Sequence, residues 1–231
     1  ERWLYRFGLR RADAVICQTR GQQRALLGNF SRAATILPMP CSFDISSRRE
    51  SLANSEVLWV GRVVALKRLE LYLDVAESLP DITFHIAGGA DDDEGYAGRL
   101  FDRASALKNV VWHGVLDRQS IINLYQRCSL LLCTSSIEGF PNTFIEAWGS
   151  GMPVVTSFDP DNLIRDHDLG AVAHDSAEFA AVIRKILADD TSYRYWSDNV
   201  LQYFKSHHER RLALGRFAGF LQQQVDCYGS R

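Results

Sequence analysis

Glu138 and Glu146 stand with seven residues between them in the run Glu138-Gly139-Phe140-Pro141-Asn142-Thr143-Phe144-Ile145-Glu146, directly after the apolar stretch Leu130–Thr134. An ionised carboxylate only accepts hydrogen bonds, so Glu146 suits the diol of a ribose. Glu138 suits sugar hydroxyls, or positive charge developing at an anomeric carbon. Gly139 lets a ligand approach the backbone, Pro141 favours a helix start, and that start offers N–H groups and a positive dipole end to a diphosphate. The same residues admit a plainer reading. Thr143-x-x-Glu146 satisfies a capping box in the first turn of its helix, and a loop acid such as Glu138 is commonly just solvated.

A second group, Gly61-Arg62-Val63-Val64-Ala65-Leu66-Lys67, follows the apolar run Val57–Val60. There a forked guanidinium and a point-charge ammonium could share a diphosphate, or both could be surface cations. Gly88-Gly89 permits close approach of a ligand, but no G-x-G-x-x-G is present to support hydride-transfer chemistry. The run Asp91-Asp92-Asp93-Glu94 lacks the further ligands a cation needs, so no metal and no cofactor are expected. His207-His208 lies in a charged helix where neighbours do not share a face, which predicts a surface role. Absence of Gly-x-Ser-x-Gly argues against a hydrolase.

The elements that must position these residues follow a repeating pattern. Strand-like runs at Val57–Val60, Ile82–Ala87, Val110–His113, Leu130–Thr134, Pro153–Thr156 and Ala171–Ala173 alternate with helical segments. The helices are Lys67–Leu79, Gly95–Leu107, Arg118–Arg127 behind the N-cap Asp117, Thr143–Gly149, Ala177–Ala188, and a tail from Ser192 to about Val225. Such alternation predicts an α/β, Rossmann-like, doubly wound parallel sheet, whose ligands bind beyond the carboxyl ends of the strands. Residues 1–40 read as a separate helix-strand-helix-strand unit, 41–55 as a polar linker, 56–190 as the sheet domain and 191–231 as C-terminal helices.

Bulk properties narrow the function classes. Of 231 residues, 46% are hydrophobic, and the formal net charge is −2, so the basic surplus of a nucleic-acid binder is missing. Five irregularly spaced cysteines fit reduced thiols in the cytoplasm, and no run is apolar for the roughly 20 residues a membrane span needs. The first helix carries Trp3, Tyr5 and Phe7 among arginines; it could rest on the inner face of an anionic membrane or pack between domains. The chain starts without methionine and in mid-helix, as an excised piece would.

Taken together, the two glutamates, Gly61-Arg62 with Lys67, and Gly149-Ser150-Gly151-Met152-Pro153-Val154-Val155 resemble the retaining group 1 (family 4) glycosyltransferases of the two-Rossmann-domain (GT-B) kind. The likeness runs from about Ser55 to Asp190, and Asp13-Ala14-Val15-Ile16 with Ile36-Leu37-Pro38 is similar to the end of that family's N-terminal domain. The resemblance implies a UDP- or GDP-sugar donor, with Arg62 and Lys67 on the diphosphate, Glu146 on the ribose and Glu138 as the catalytic group at the donor sugar. It further implies that Gly139, Phe140, Pro141, Asn142 and Thr143 hold sugar and phosphate through backbone groups, and that Gly114 and Val115 border the base. The acceptor, a glycan or lipid-linked sugar, would sit on an N-terminal domain of which only a remnant is here, so the piece alone should not turn over. After Thr156 the family often has a Gly-Gly pair where this chain reads Ser157-Phe158-Asp159-Pro160-Asp161-Asn162. Two alternatives share the architecture: a sugar-nucleotide epimerase, and a non-catalytic nucleotide-sugar-binding module.

Overall fold

A computed structural model describes residues 2–41, 55–90 and 94–229. Most of the linker expected at 41–55, and Asp91 to Asp93 of the acidic run, lie outside the described residues.

Six strands form one parallel sheet: β3 (Glu56–Val60), β4 (Thr83–Ala87), β5 (Val110–Gly114), β6 (Leu130–Cys133), β7 (Val154–Thr156) and β8 (Gly170–Val172). Their spatial order is β5-β4-β3-β6-β7-β8, so the winding reverses between β3 and β6. The four inner strands β4, β3, β6 and β7 are buried on both faces, and their side chains alternate between two cores. Val57, Trp59, Phe84, Ile86, Leu130 and Leu132 enter one core, under α3 (Leu69–Ser78), α4 (Glu94–Ala106) and α8 (Ser176–Ile186). Leu58, Ala87, Leu131, Cys133 and Val154 enter the other, under α5 (Arg118–Arg127), α6 (Asn142–Gly149) and α9 (Asp190–His207).

The first residues form a small unit of their own. Helix α1 (Arg2–Arg11) precedes β1 (Ile16–Cys17), α2 (Arg20–Phe30) and β2 (Thr35–Ile36), and β1 pairs with β2 in parallel. Thr19 caps α2, its hydroxyl accepting from Gln22 N at 3.0 Å. Tyr5 meets Phe30 edge-on at 5.5 Å, while Trp3, at 71% exposure, stacks on Phe7 along the outer side of α1. The C-terminal tail is two helices, α9 and α10 (Arg210–Gly229), with the break at His208 and Glu209. No described helix is long and apolar enough to cross a membrane.

Asp161 and His208 dock the N-terminal unit on the rest of the chain. The Asp161 carboxylate accepts from Arg20 N and, at 3.0 Å, from Gly21 N, so it caps the start of α2 from the other unit. His208 binds the Met39 carbonyl through Nδ1 at 2.9 Å, and its own carbonyl accepts from Cys41 N at 3.1 Å. His208 is 3% exposed, which corrects the expected surface role for that histidine, while His207 beside it stays partly exposed. The helix break turns its ring inward, where it stacks on Phe140 at 5.6 Å. Burial pushes its pKa down to about 4.

Candidate functional site

The carboxyl ends of β3, β4, β5 and β6 present four loops to one crevice, and the sheet reversal puts the β3 and β6 loops side by side. Backbone hydrogen bonds lash these loops together. Gly61 N donates to Ala87 O at 3.1 Å, Val63 N to Gly89 O at 2.9 Å and Gly88 N to Gly114 O at 2.8 Å. Gly88 has φ +152, and a Cβ there would lie 1.7 Å from the Gly61 carbonyl oxygen, so glycine is required for the two strand ends to meet.

The helix expected to start at Lys67 instead begins at Leu69. A single 3-10 turn, Ala65–Lys67, comes first, and Arg68 breaks from it in the left-handed region at φ 47. Helix α3 therefore does not carry Lys67 away; the turn points it across the reversal. Its ammonium forms an ion pair with Glu138, and both side chains are partly buried, at 26% and 18% exposure. The two loops are also joined by hydrogen bonds onto backbone carbonyls. Thr134 Oγ1 donates to Lys67 O at 2.7 Å, Ser136 N to Leu66 O at 2.8 Å, and Arg68 Nε to Thr134 O at 2.6 Å.

Helix α6 starts at Asn142, with Pro141 as its N-cap and no side-chain cap hydrogen bond. Glu146 is thus its fifth residue, past the first turn, and the capping box does not form. Instead Glu146 Oε2 accepts from the hydroxyl of Tyr125 at 2.7 Å. Burial, with the Glu146 charge beside it, raises the Tyr125 phenol well above its ordinary pKa, so the phenol is the donor. Phe140 points into the aromatic cluster of Trp148 and His208, which leaves its backbone, not its ring, to the crevice. Gly139 is approached by Gln22 of α2; a Cβ there would meet the Gln22 amide at 3.0 Å.

Arg62 is exposed on the β3 loop. Gly114 ends β5 at φ +69, and Val115 beyond it is 83% exposed. The segment that departs from the family pattern after Thr156 supports this crevice from the side: the Ser157 hydroxyl donates to Ser135 O at 2.5 Å, and Asp161 reaches α2. Tyr125, Thr134, Arg68 and Asp161 were not singled out in the sequence. Tyr125 lay on an amphipathic helix with no local motif, and Asp161 lay in a segment whose only signal was its departure from pattern.

One group of metal-capable atoms occurs among the described residues: Glu56, His85 and Cys128, all buried, lie within 4.8 Å of one another. Arg127 donates to both Glu56 oxygens, at 2.6 and 2.8 Å, so a guanidinium supplies the positive charge there. His85 Nδ1 meets His113 Nε2 at 3.0 Å, and burial holds both rings below the usual histidine pKa. Glu56 and Cys128 sit at the amino ends of β3 and β6, opposite the crevice.

The family model of the group 1 glycosyl transferases matches residues 44–202, more than half of the chain. The chain belongs to that family. Among curated relatives it is 27% identical over 175 residues to the alpha-galactosylglucosyldiacylglycerol synthase of Streptococcus pneumoniae, covering 69% of this chain and 47% of that one. It is 28% identical over 141 residues to a D-inositol 3-phosphate glycosyltransferase of a Mycobacterium species, covering 57% and 32%. The chain therefore spans about half or less of the length of these relatives. In fold it is similar to HepE of Anabaena, solved in complex with UDP and glucose, with a TM-score of 0.79 at 20% identity over 96% of this chain and 66% of that one. Pneumococcal GtfA in complex with UDP and GlcNAc matches with a TM-score of 0.71 at 18% identity, over 93% of this chain and 46% of that one.

Proposed function

We propose that this chain supplies the nucleotide-sugar-binding part of a retaining glycosyltransferase, which moves a sugar from a nucleoside-diphosphate donor to an acceptor hydroxyl. The observation that carries the reading is the contact of Lys67 with Glu138 across the sheet reversal. It holds an ammonium and a carboxylate where a diphosphate and its sugar would lie next to each other.

In this reading Lys67 and Arg62 neutralise the diphosphate as it becomes the leaving group. Glu138 faces the donor sugar near the reacting carbon, where a carboxylate stabilises oxocarbenium-like charge. Backbone groups from Gly139 to Thr143 receive sugar and phosphate at the start of α6, Glu146 accepts from the ribose, and Gly114 and Val115 border the base. The acceptor site and any further catalytic groups belong to the rest of the protein. Structural relatives solved with UDP make that nucleotide the first to try. UDP should raise the melting temperature, more than GDP if the base pocket selects uracil, and Lys67→Ala or Glu146→Ala should reduce the rise. A chain whose melting temperature no nucleoside diphosphate moves does not carry a donor site.

A further inference from the structure

Glu146 is held from another helix. It does not cap its own, because Pro141 is the N-cap and Glu146 lies a turn further on. The hydroxyl of Tyr125 reaches it, 2.7 Å from Oε2. Tyr125 is the eighth residue of α5, fully buried in the core that α5 and α6 share beneath the crevice. Desolvation and the adjacent carboxylate keep the phenol protonated, so this hydrogen bond runs one way. A glutamate side chain has several rotatable bonds, and a ligand that had to fix them on binding would lose affinity. Here the fold fixes them in advance.

We propose that Tyr125 is a positioning residue for nucleotide recognition: its hydroxyl sets the plane of the Glu146 carboxylate against the ribose hydroxyls and so sharpens the preference for ribonucleotides over nucleotides lacking those hydroxyls. The inference rests on the reading of Glu146 as the ribose acceptor. It separates Tyr125 from a residue that merely fills space, since a filler would support every nucleotide equally.

The test is calorimetric titration of the whole protein with UDP and with 2′,3′-dideoxy-UDP, in the parent, Tyr125→Phe, Glu146→Gln and the double variant. Loss of this orienting hydrogen bond should weaken UDP about fivefold to tenfold in Tyr125→Phe, the effect of one typical net hydrogen bond, and leave the dideoxy nucleotide within about twofold. In the Glu146→Gln background the same change should have no further effect on UDP. Equal losses for both nucleotides, or an unchanged UDP affinity, would overturn the positioning role while leaving the donor site standing. Absence of UDP binding to the parent would overturn the donor site and this inference with it. Phenylalanine keeps the ring that fills the core; should that variant still fail to fold, ¹³Cζ-tyrosine NMR on the parent decides. The buried tyrosine resonance that Glu146→Gln displaces should shift with UDP and stay put with the dideoxy nucleotide, and a shift with both overturns the proposal.

Discussion

Substituting Gly88 by alanine should damage both the stability of the domain and its crevice. The added Cβ would lie 1.7 Å from the Gly61 carbonyl oxygen, and the backbone at φ +152 is one that only glycine adopts without strain. To reach even a close C···O contact the ends of β3 and β4 must part by roughly 1.5 Å. That movement pulls on the bonds from Gly61 N to Ala87 O and from Val63 N to Gly89 O. Backbone strain, overpacking and weakened hydrogen bonds together give a loss of about 4 kcal/mol. For a chain of this size that is a fall of about 12 °C in melting temperature. Urea unfolding and calorimetry measure it, and two controls frame it. Gly170→Ala places a Cβ 1.8 Å from the Val154 carbonyl oxygen, on the far side of the sheet. It should cost a similar amount yet preserve UDP binding below the melting temperature, whereas Gly88→Ala should lose binding by displacing the loop of Arg62 and Lys67. Gly98→Ala, exposed in α4 with nothing within 4 Å of the new atom, should instead stabilise by about 0.5–1 kcal/mol. A Gly88→Ala protein within about 1 kcal/mol of the parent would sink this account, because a clash of that depth cannot relax for less.

Three further outcomes follow from other contacts. His208 has a folded pKa of about 4 against an ordinary 6.5, so the unfolded chain takes up the proton first and stability falls as pH drops between those values. The loss reaches about 2 kcal/mol at pH 5, with His85 and His113 adding in the same direction. His208→Asn should lose correspondingly less between pH 7 and pH 5 in urea titrations; an unchanged slope would contradict the assignment. Asp161→Ala removes the charged cap from α2 and should loosen the N-terminal unit by about 1–2 kcal/mol, seen as faster hydrogen exchange at Arg20 and Gly21, and exchange at the parent rate argues against the cap. Glu56→Gln breaks the bidentate pair with Arg127, whose side chain is 55% exposed. The cost should be about 1–2 kcal/mol, below that of a fully buried pair, without effect on UDP binding; a variant that loses UDP would place Glu56 in the site.

The alternation of apolar strands and amphipathic helices was legible because the four inner strands are buried on both faces, and short β-branched runs set between helices suit little besides the inner strands of a covered sheet. The position of Lys67 was legible as a residue after a strand end. Its turn was not, because nothing in Val64-Ala65-Leu66-Lys67-Arg68 announces that Arg68 adopts a left-handed backbone. The capping box read from Thr143 and Glu146 failed for a related reason: Pro141 takes the N-cap position, two residues before Thr143. Spacing alone does not choose between two starts so close together. His208 misled because a helical pattern carries through Lys205 to Leu212, and a break that turns one ring inward leaves no periodic trace. Contacts such as Tyr125 to Glu146 and Asp161 to Arg20 join elements 21 and 141 residues apart in sequence, and no local pattern records such pairings.

The ion pair of Lys67 and Glu138 bears on which ligands the crevice rejects. A bare inorganic anion drawn to Lys67 would compete with Glu138 for the ammonium and press one negative charge against another. A ligand that places hydroxyls beside its phosphates avoids the conflict, since the hydroxyls can donate to the displaced carboxylate while the phosphate takes the cation. If the crevice holds the donor as proposed, free phosphate and sulfate would meet a built-in penalty there that a sugar-bearing diphosphate would not.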